Sequence, residues 1–173
     1  AKKELLDDII RMMLGKNIEN LYYKKRVDIG DQFFAVRGLC SPGLVDNVSF
    51  ELRRGEILGI TGLVGAGKSE LARAIFGAEP AAEGSISIDG QQVRIKTPAD
   101  AVKHGVFLVP EERRQHGLLV EESVRNNISL PSISVMCSSA GMVSTRKEAQ
   151  HAKDIVSNLN VRAASIFQLA KNL

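Results

Sequence analysis

Tryptophan is absent from these 173 residues, which carry only two tyrosines and six phenylalanines. No aromatic side chains interleave with a basic stripe, so the footprint of a nucleic-acid surface is missing and no nucleic-acid partner is expected. Long apolar runs are missing as well; none approaches the roughly 20 residues that cross a bilayer. The first residues, Ala1 to Asp8, lack the apolar centre of a secretory signal. Cys40 and Cys137 have neither a CxxC partner nor a neighbouring histidine, and read as buried or incidental thiols. His104, His116 and His151 show no metal-ligand spacing. The net charge is only +3, with both signs spread along the chain, so solvated faces are the simplest reading of the charge. What remains is a 44% apolar chain, ordinary for a folded protein and long enough for one well-buried domain.

One run stands out against this plain background. Gly62-Leu63-Val64-Gly65-Ala66-Gly67-Lys68-Ser69 fits G-x-x-x-x-G-K-[ST], the phosphate-cradling P-loop. It follows Glu56–Thr61, which reads as a buried strand, and precedes Glu70–Phe76, which reads as a helix. That order is the context the motif requires. The glycines let the backbone turn and bring its N–H groups to phosphate oxygens without a Cβ in the way. The positive end of the helix adds to the anion site. Lys68 reaches the outer phosphates as a point charge, and the Ser69 hydroxyl is suited to Mg²⁺.

Around the loop the pattern is mixed. Glu4–Leu14 carries apolar residues at helical spacing and stops at Gly15, and Lys16–Asp31 is polar and basic, a linker. Phe33–Leu39 predicts a strand, in which Phe33 and Phe34 serve core packing, and Cys40–Gly43 a turn. Val48, Phe50 and Leu52 alternate with polar neighbours, a half-buried strand. Asp89-Gly90 between Ser85–Ile88 and Gln92–Ile95 predicts a hairpin. Antiparallel strands thus flank the P-loop unit, unlike a plain doubly wound domain. Thr97 and Pro98 open a short helix that ends at Gly105, and Val106–Val109 reads as a second buried strand. Pro110–Leu119 is a charged loop and Ser123–Leu130 a short helix. The serine-rich stretch Ser132–Ser144 reads as mobile. Thr145 to Glu148 is a capping box for a helix to about Leu159, and a last short helix spans Ser165–Leu173.

Taken together, Val48–Ile60, the P-loop and the hairpin Gly84–Gly90 resemble an ABC-transporter nucleotide-binding domain. More narrowly, the chain resembles the second ATPase domain of the tandem ATP-binding proteins of bacterial monosaccharide importers of ribose, galactose and xylose type. The narrower likeness rests on Glu70 after the P-loop, where most ABC domains have Thr, on Val109-Pro110-Glu111-Glu112-Arg113-Arg114-Gln115-His116-Gly117-Leu118, and on Met13-Leu14-Gly15-Lys16. The fold this implies is α/β: a P-loop core of ABC ATPase type with an antiparallel β subdomain and the start of a helical subdomain. Residues 1–31 then form the tail of an upstream ATPase domain and its linker, and 32–173 a partial nucleotide-binding domain.

The resemblance implies ATP and Mg²⁺ as cofactors, with Gly62 through Glu70 on the nucleotide, Lys68 neutralising phosphate charge and Ser69 on the metal. Glu111 stands where most ABC domains carry a Gln that reaches Mg²⁺; it either ligates the metal or pairs with Arg113 or Arg114 at the surface. The adenine-stacking aromatic of the family has no match near Cys40–Gly43, which leaves apolar contact near Val45. The signature run LSGGQ, or LSGGNQQK in this subgroup, does not occur here, and the chain stops at Ala170–Leu173 where it would begin. The resemblance therefore implies a fragment, without the family's catalytic glutamate or switch histidine. Its implied partners are membrane-spanning permease subunits, a second ABC ATPase domain and, indirectly, a periplasmic or extracellular sugar-binding protein. Its implied place is the cytoplasmic side of the membrane, peripherally. The rival readings are a non-hydrolysing nucleotide-binding half-domain and a soluble, non-transport ABC ATPase.

Overall fold

A computed structural model describes residues 12, 27–43, 45–79, 81–138 and 141–173. Apart from Met12, the helix expected over Glu4–Leu14 lies outside these residues, as does most of the linker. The chain divides into two compact units, Ala1–Asp100 and Ala101–Leu173.

The first unit is built on a four-stranded antiparallel sheet in the order β2-β1-β3-β4. Its strands are β1 (Gln32–Ser41), β2 (Val45–Arg53), β3 (Glu83–Ile88) and β4 (Gln91–Val93). Alternation on β2 sets the register: Leu52, Phe50 and Val48 lie opposite Phe34, Val36 and Leu39. The spacing is two on β2, but widens to three between Val36 and Leu39. A bulge there, with Gly38 at φ 57°, supplies the extra residue and keeps all three β1 side chains on one face. Val36 and Leu39 are consequently buried, and Phe34 packs on Phe50 with ring centroids 6.3 Å apart. Phe33 lies under the Arg54 guanidinium, 4.3 Å from its ring centre. Asp89 (φ 50°) and Gly90 (φ 74°) close the β3–β4 hairpin with the left-handed pair that such a turn requires.

Helix α1 (Lys68–Phe76) lies against β1 and buries Leu71 and Ala74. It ends at Gly77 (φ 74°), whose N–H bonds the Ala74 carbonyl; a Cβ there would come within 2.9 Å of Ile95 and Thr97. Helix α2 (Pro98–Lys103) opens as expected, with Thr97 and Asp100 exchanging bonds: the Asp100 carboxylate accepts from the Thr97 N–H at 3.1 Å.

The second unit packs α3 (Val124–Ser129) and α5 (Thr145–Asn158) together, with the single turn α4 (Ile133–Met136) beside them. Ser123 caps α3, its Oγ accepting from Asn126 N–H at 3.1 Å. The N–H groups of Val124 and Arg125 donate to the carbonyls of Gln168 and Ile166. The stretch expected as a helix over Ser165–Leu173 is therefore a strap of two short turns, one closed by Gln168 N–H on the Ser165 carbonyl and one at Ala170–Asn172. Two of its carbonyls, those of Ile166 and Gln168, satisfy the start of α3, while those of Ser165, Leu169 and Ala170 accept from N–H groups within the stretch.

Four further expectations change. Glu56–Thr61 and Val106–Val109 are apolar enough for buried strands, yet neither run enters a ladder among the described residues. Ile57 is 87% exposed and Val109 91%. Apolar content sets a tendency, but a strand exists only where a neighbour accepts its hydrogen bonds. Within the serine-rich stretch, Met136 is buried and Cys137 bridges Val143, so its described residues are partly ordered. Finally, the cap of α5 is Ser144, whose Oγ accepts from Lys147 N–H, not Thr145. Glu148, the expected capping-box acid, is buried and faces Arg125 across the helix pair at 3.5 Å.

Candidate functional site

The loop Gly62–Ser69 reaches its shape through two left-handed glycines, Gly65 (φ 81°) and Gly67 (φ 82°). Gly67 is the N-cap of α1 and has no side chain with which to cap it. The positive end of α1 therefore carries no side-chain cap from its N-cap residue. The first intrahelical bond runs from Leu71 N–H to the Gly67 carbonyl at 2.8 Å. Lys68 bends back over the loop, its Nζ donating to the carbonyls of Gly62 at 3.0 Å and Leu63 at 2.8 Å. Gly62 is packed tightly, since a Cβ would sit 3.3 Å from Ala66, whereas one on Gly65 would meet nothing within 4 Å. Left-handed glycines, a helix start and an ammonium group thus lie together in this loop, the elements of a phosphate-binding turn.

Ser69 sits in the first turn of α1, half-buried. Glu70 follows. Its Oε1 accepts from Arg73 Nη2 at 2.8 Å, and Arg73 Nε reaches Glu79 Oε1 at 3.0 Å. The Glu70 carboxyl is held below its ordinary value, first by a bond from its own backbone N–H, then by Arg73 and by the charge of Lys68; partial burial opposes the shift. Glu70 therefore favours its ionised form at the start of α1. Arg73 was not singled out from the sequence; its signal is the i,i+3 spacing from Glu70.

A cleft of about 660 Å³ opens beside the loop. Cys40, Pro42, Val45 and Asp46 from the β1–β2 turn line it together with Gly65 and Ala66. The structure thus brings the region around Val45 to the P-loop, with no aromatic ring in the lining. Cys40 lies part-buried in the turn, its Sγ accepting from Asn47 N–H at 3.2 Å. Glu111 belongs to the second unit, exposed on the loop that leads into a π-helical turn at Arg113–Gly117. That unit has a cleft of its own, about 390 Å³, walled by Leu119, Leu130, Ile133 and Val143 with Glu148 at its base. Among the described residues, no group of His, Cys, Asp and Glu side chains is placed to hold a metal ion by itself. Among the described residues, no helix is long and apolar enough to cross a membrane.

Comparison with known proteins gives the family and the fold. The chain is 42% identical over 165 residues to a ribose import ATP-binding protein of Geobacillus kaustophilus, covering 95% of this chain and 33% of that one. It is 38% identical over 173 residues to the ribose import ATP-binding protein of Clostridium tetani, covering all of this chain and 34% of the other. It therefore spans about a third of the length of the curated relatives it matches. Among solved structures, a nucleotide-free ATP-binding cassette from an ABC transporter aligns with TM-score 0.59 at 20% identity, over 83% of this chain and 59% of that chain. A dimeric ATP-binding cassette in a post-hydrolysis state, bound to ADP and Pi, aligns with TM-score 0.60 at 18% identity, over 81% and 62%. These likenesses give the fold, the α/β cassette in which an antiparallel sheet accompanies a P-loop unit. The family model described as ABC transporter matches residues 45–172, and the chain belongs to that family.

Proposed function

We propose that this chain binds MgATP through Gly62–Ser69 as part of the ATP-binding subunit of a monosaccharide importer. One observation carries the reading: in an ABC-family chain, Gly65, Gly67 and Lys68 bring backbone donors and an ammonium group to the start of α1. Lys68 neutralises charge on the outer phosphates, the Ser69 hydroxyl holds Mg²⁺, and Glu70 closes the first turn. When bound, the metal supplies charge neutralisation of the transferred phosphoryl group. The base lies in the cleft by Val45. Glu111 either joins the metal or serves its own surface.

The names of the relatives support ribose-type import as the larger task. In the whole protein ATP is hydrolysed, a second ABC ATPase domain completes the site, and permease subunits dock on the helical unit at the cytoplasmic face of the membrane. The apolar cleft walled by Leu119, Leu130, Ile133 and Val143 supports that docking. A sugar-binding protein delivers the cargo to the permease. These 173 residues contain no LSGGNQQK-like run, so the chain alone binds nucleotide with negligible turnover.

Calorimetric titration with MgATP, paired with a phosphate-release assay, tests this. Saturable, magnesium-dependent binding without sustained release is expected. No binding overturns the nucleotide reading; sustained turnover by this chain overturns the division of the site.

A further inference from the structure

Glu70 poses an electrostatic problem that the loop itself does not solve. A carboxylate in the first turn of α1 shares the helix end with the phosphates assigned to Gly62–Ser69. Helix ends favour an anion, but a second one nearby repels the first. Arg73 answers the charge from one turn along. Its guanidinium lies between two carboxylates, 2.8 Å from Glu70 Oε1 and 3.0 Å from Glu79 Oε1. The Glu70 and Arg73 side chains keep only 28% and 33% of their exposure, so the pair is partly shielded from water. Both termini of the bridge are held: Glu70 by the start of α1, and Glu79 by the turn beyond Gly77, where Glu79 N–H meets the Arg73 carbonyl at 3.4 Å.

We propose that Arg73 is a positioning residue for nucleotide binding: it holds the Glu70 carboxylate to the side of α1 and cancels its charge, so that the triphosphate does not meet an uncompensated anion. The inference rests on the nucleotide reading above and adds to it a residue outside the P-loop that sets the affinity. Glu79 anchors the far side of the guanidinium and keeps it from following the phosphate.

Titration of the 173-residue chain with MgATP, for wild type and four variants, separates the two readings. Arg73→Gln weakens binding by about tenfold at low salt. The loss shrinks as ionic strength rises, because it is electrostatic. Arg73→Lys keeps most of the affinity. Glu70→Gln combined with Arg73→Gln recovers it to within about threefold of wild type, a coupling that loss of packing alone does not produce. Glu79→Gln gives a smaller loss than Arg73→Gln. Circular dichroism and a urea midpoint for each variant report folding, and the double variant carries the same truncation at 73, so a folding defect reappears in it. Absence of binding by wild type removes the nucleotide reading and this inference together. Binding by wild type that Arg73→Gln leaves intact, or that the double variant fails to recover, overturns the inference alone.

Discussion

The Lys68 ammonium lies 2.8 Å from the Leu63 carbonyl, a contact that spans the P-loop from its last turn to its second residue. With the Gly62 carbonyl 3.0 Å away as well, it fixes the charge against the start of the loop. A charge-assisted bond from this ammonium to a phosphate oxygen, made in place of the carbonyl contact, would contribute about 1.5–3 kcal/mol. Lys68→Ala is therefore expected to weaken MgATP binding by more than tenfold, read by calorimetry, with the far-ultraviolet spectrum unchanged. Equal binding by the variant would show that phosphate is held elsewhere.

Leu39 tests the bulge. The extra residue at Gly38 returns Leu39 to the face shared by Phe34 and Val36, where it is 2% exposed. Leu39→Ala should destabilise the first unit by about 2–5 kcal/mol, seen as a lower urea midpoint. A change under about 1 kcal/mol would place Leu39 outside the core.

Arg125 and Glu148 join α3 to α5. Glu148 is 7% exposed, and the Arg125 guanidinium also lies 5.3 Å from the Phe167 ring centre. Glu148→Ala leaves a partly buried cation without its counter-charge and is expected to cost about 1–3 kcal/mol. Glu121→Ala, which breaks the exposed pair with Lys171, should cost under about 1 kcal/mol. Reversal of that order in chemical denaturation would argue against the pairing of α3 and α5.

The start of α5 distinguishes two serial neighbours. Ser144→Ala removes the side chain that accepts from Lys147 N–H and should destabilise by about 1 kcal/mol, whereas Thr145→Ala, inside the helix, should be near neutral. Thermal melts of both variants decide it; a larger loss at Thr145 would return the cap to the position the sequence suggested.

Glu70 gives a pH dependence. Its folded-state carboxyl titrates below the ordinary 4.5, so the native state favours the ionised form and unfolding takes up a proton first. The stabilisation is complete above 4.5 and fades as pH falls through the depressed folded value. In urea titrations at falling pH without nucleotide, wild type should lose stability relative to Glu70→Gln only below about pH 4.5. A gap that opens near neutrality would point to a different group.

Much of this was legible because it is local. The P-loop, the Asp89-Gly90 turn, the alternation of Val48, Phe50 and Leu52 and the opening of α2 at Thr97 each depend on a few adjacent residues, and short-range rules decide them. Outcomes set across the chain were not legible. The bulge at Gly38 is forced by the partner register. The strap over Ser165–Leu173 follows from what the start of α3 needs. Glu148 belongs to Arg125 and not to the cap because a buried partner outweighs a surface box. At the site, Glu70 was visible while Arg73 was not, since an acid beside a P-loop draws notice and a basic residue one turn along does not.

The exposed run Glu56–Thr61 has a consequence for handling the protein. Its peptide groups form no ladder among the described residues, and Ile57 and Ile60 stand 87% and 51% exposed. An exposed, mostly apolar stretch of this length, charged only at Glu56, is a template for foreign strands. Crowding many copies therefore sets self-recognition against solubility at the very segment that feeds the phosphate loop. Concentration acts as a competitor of the ligand.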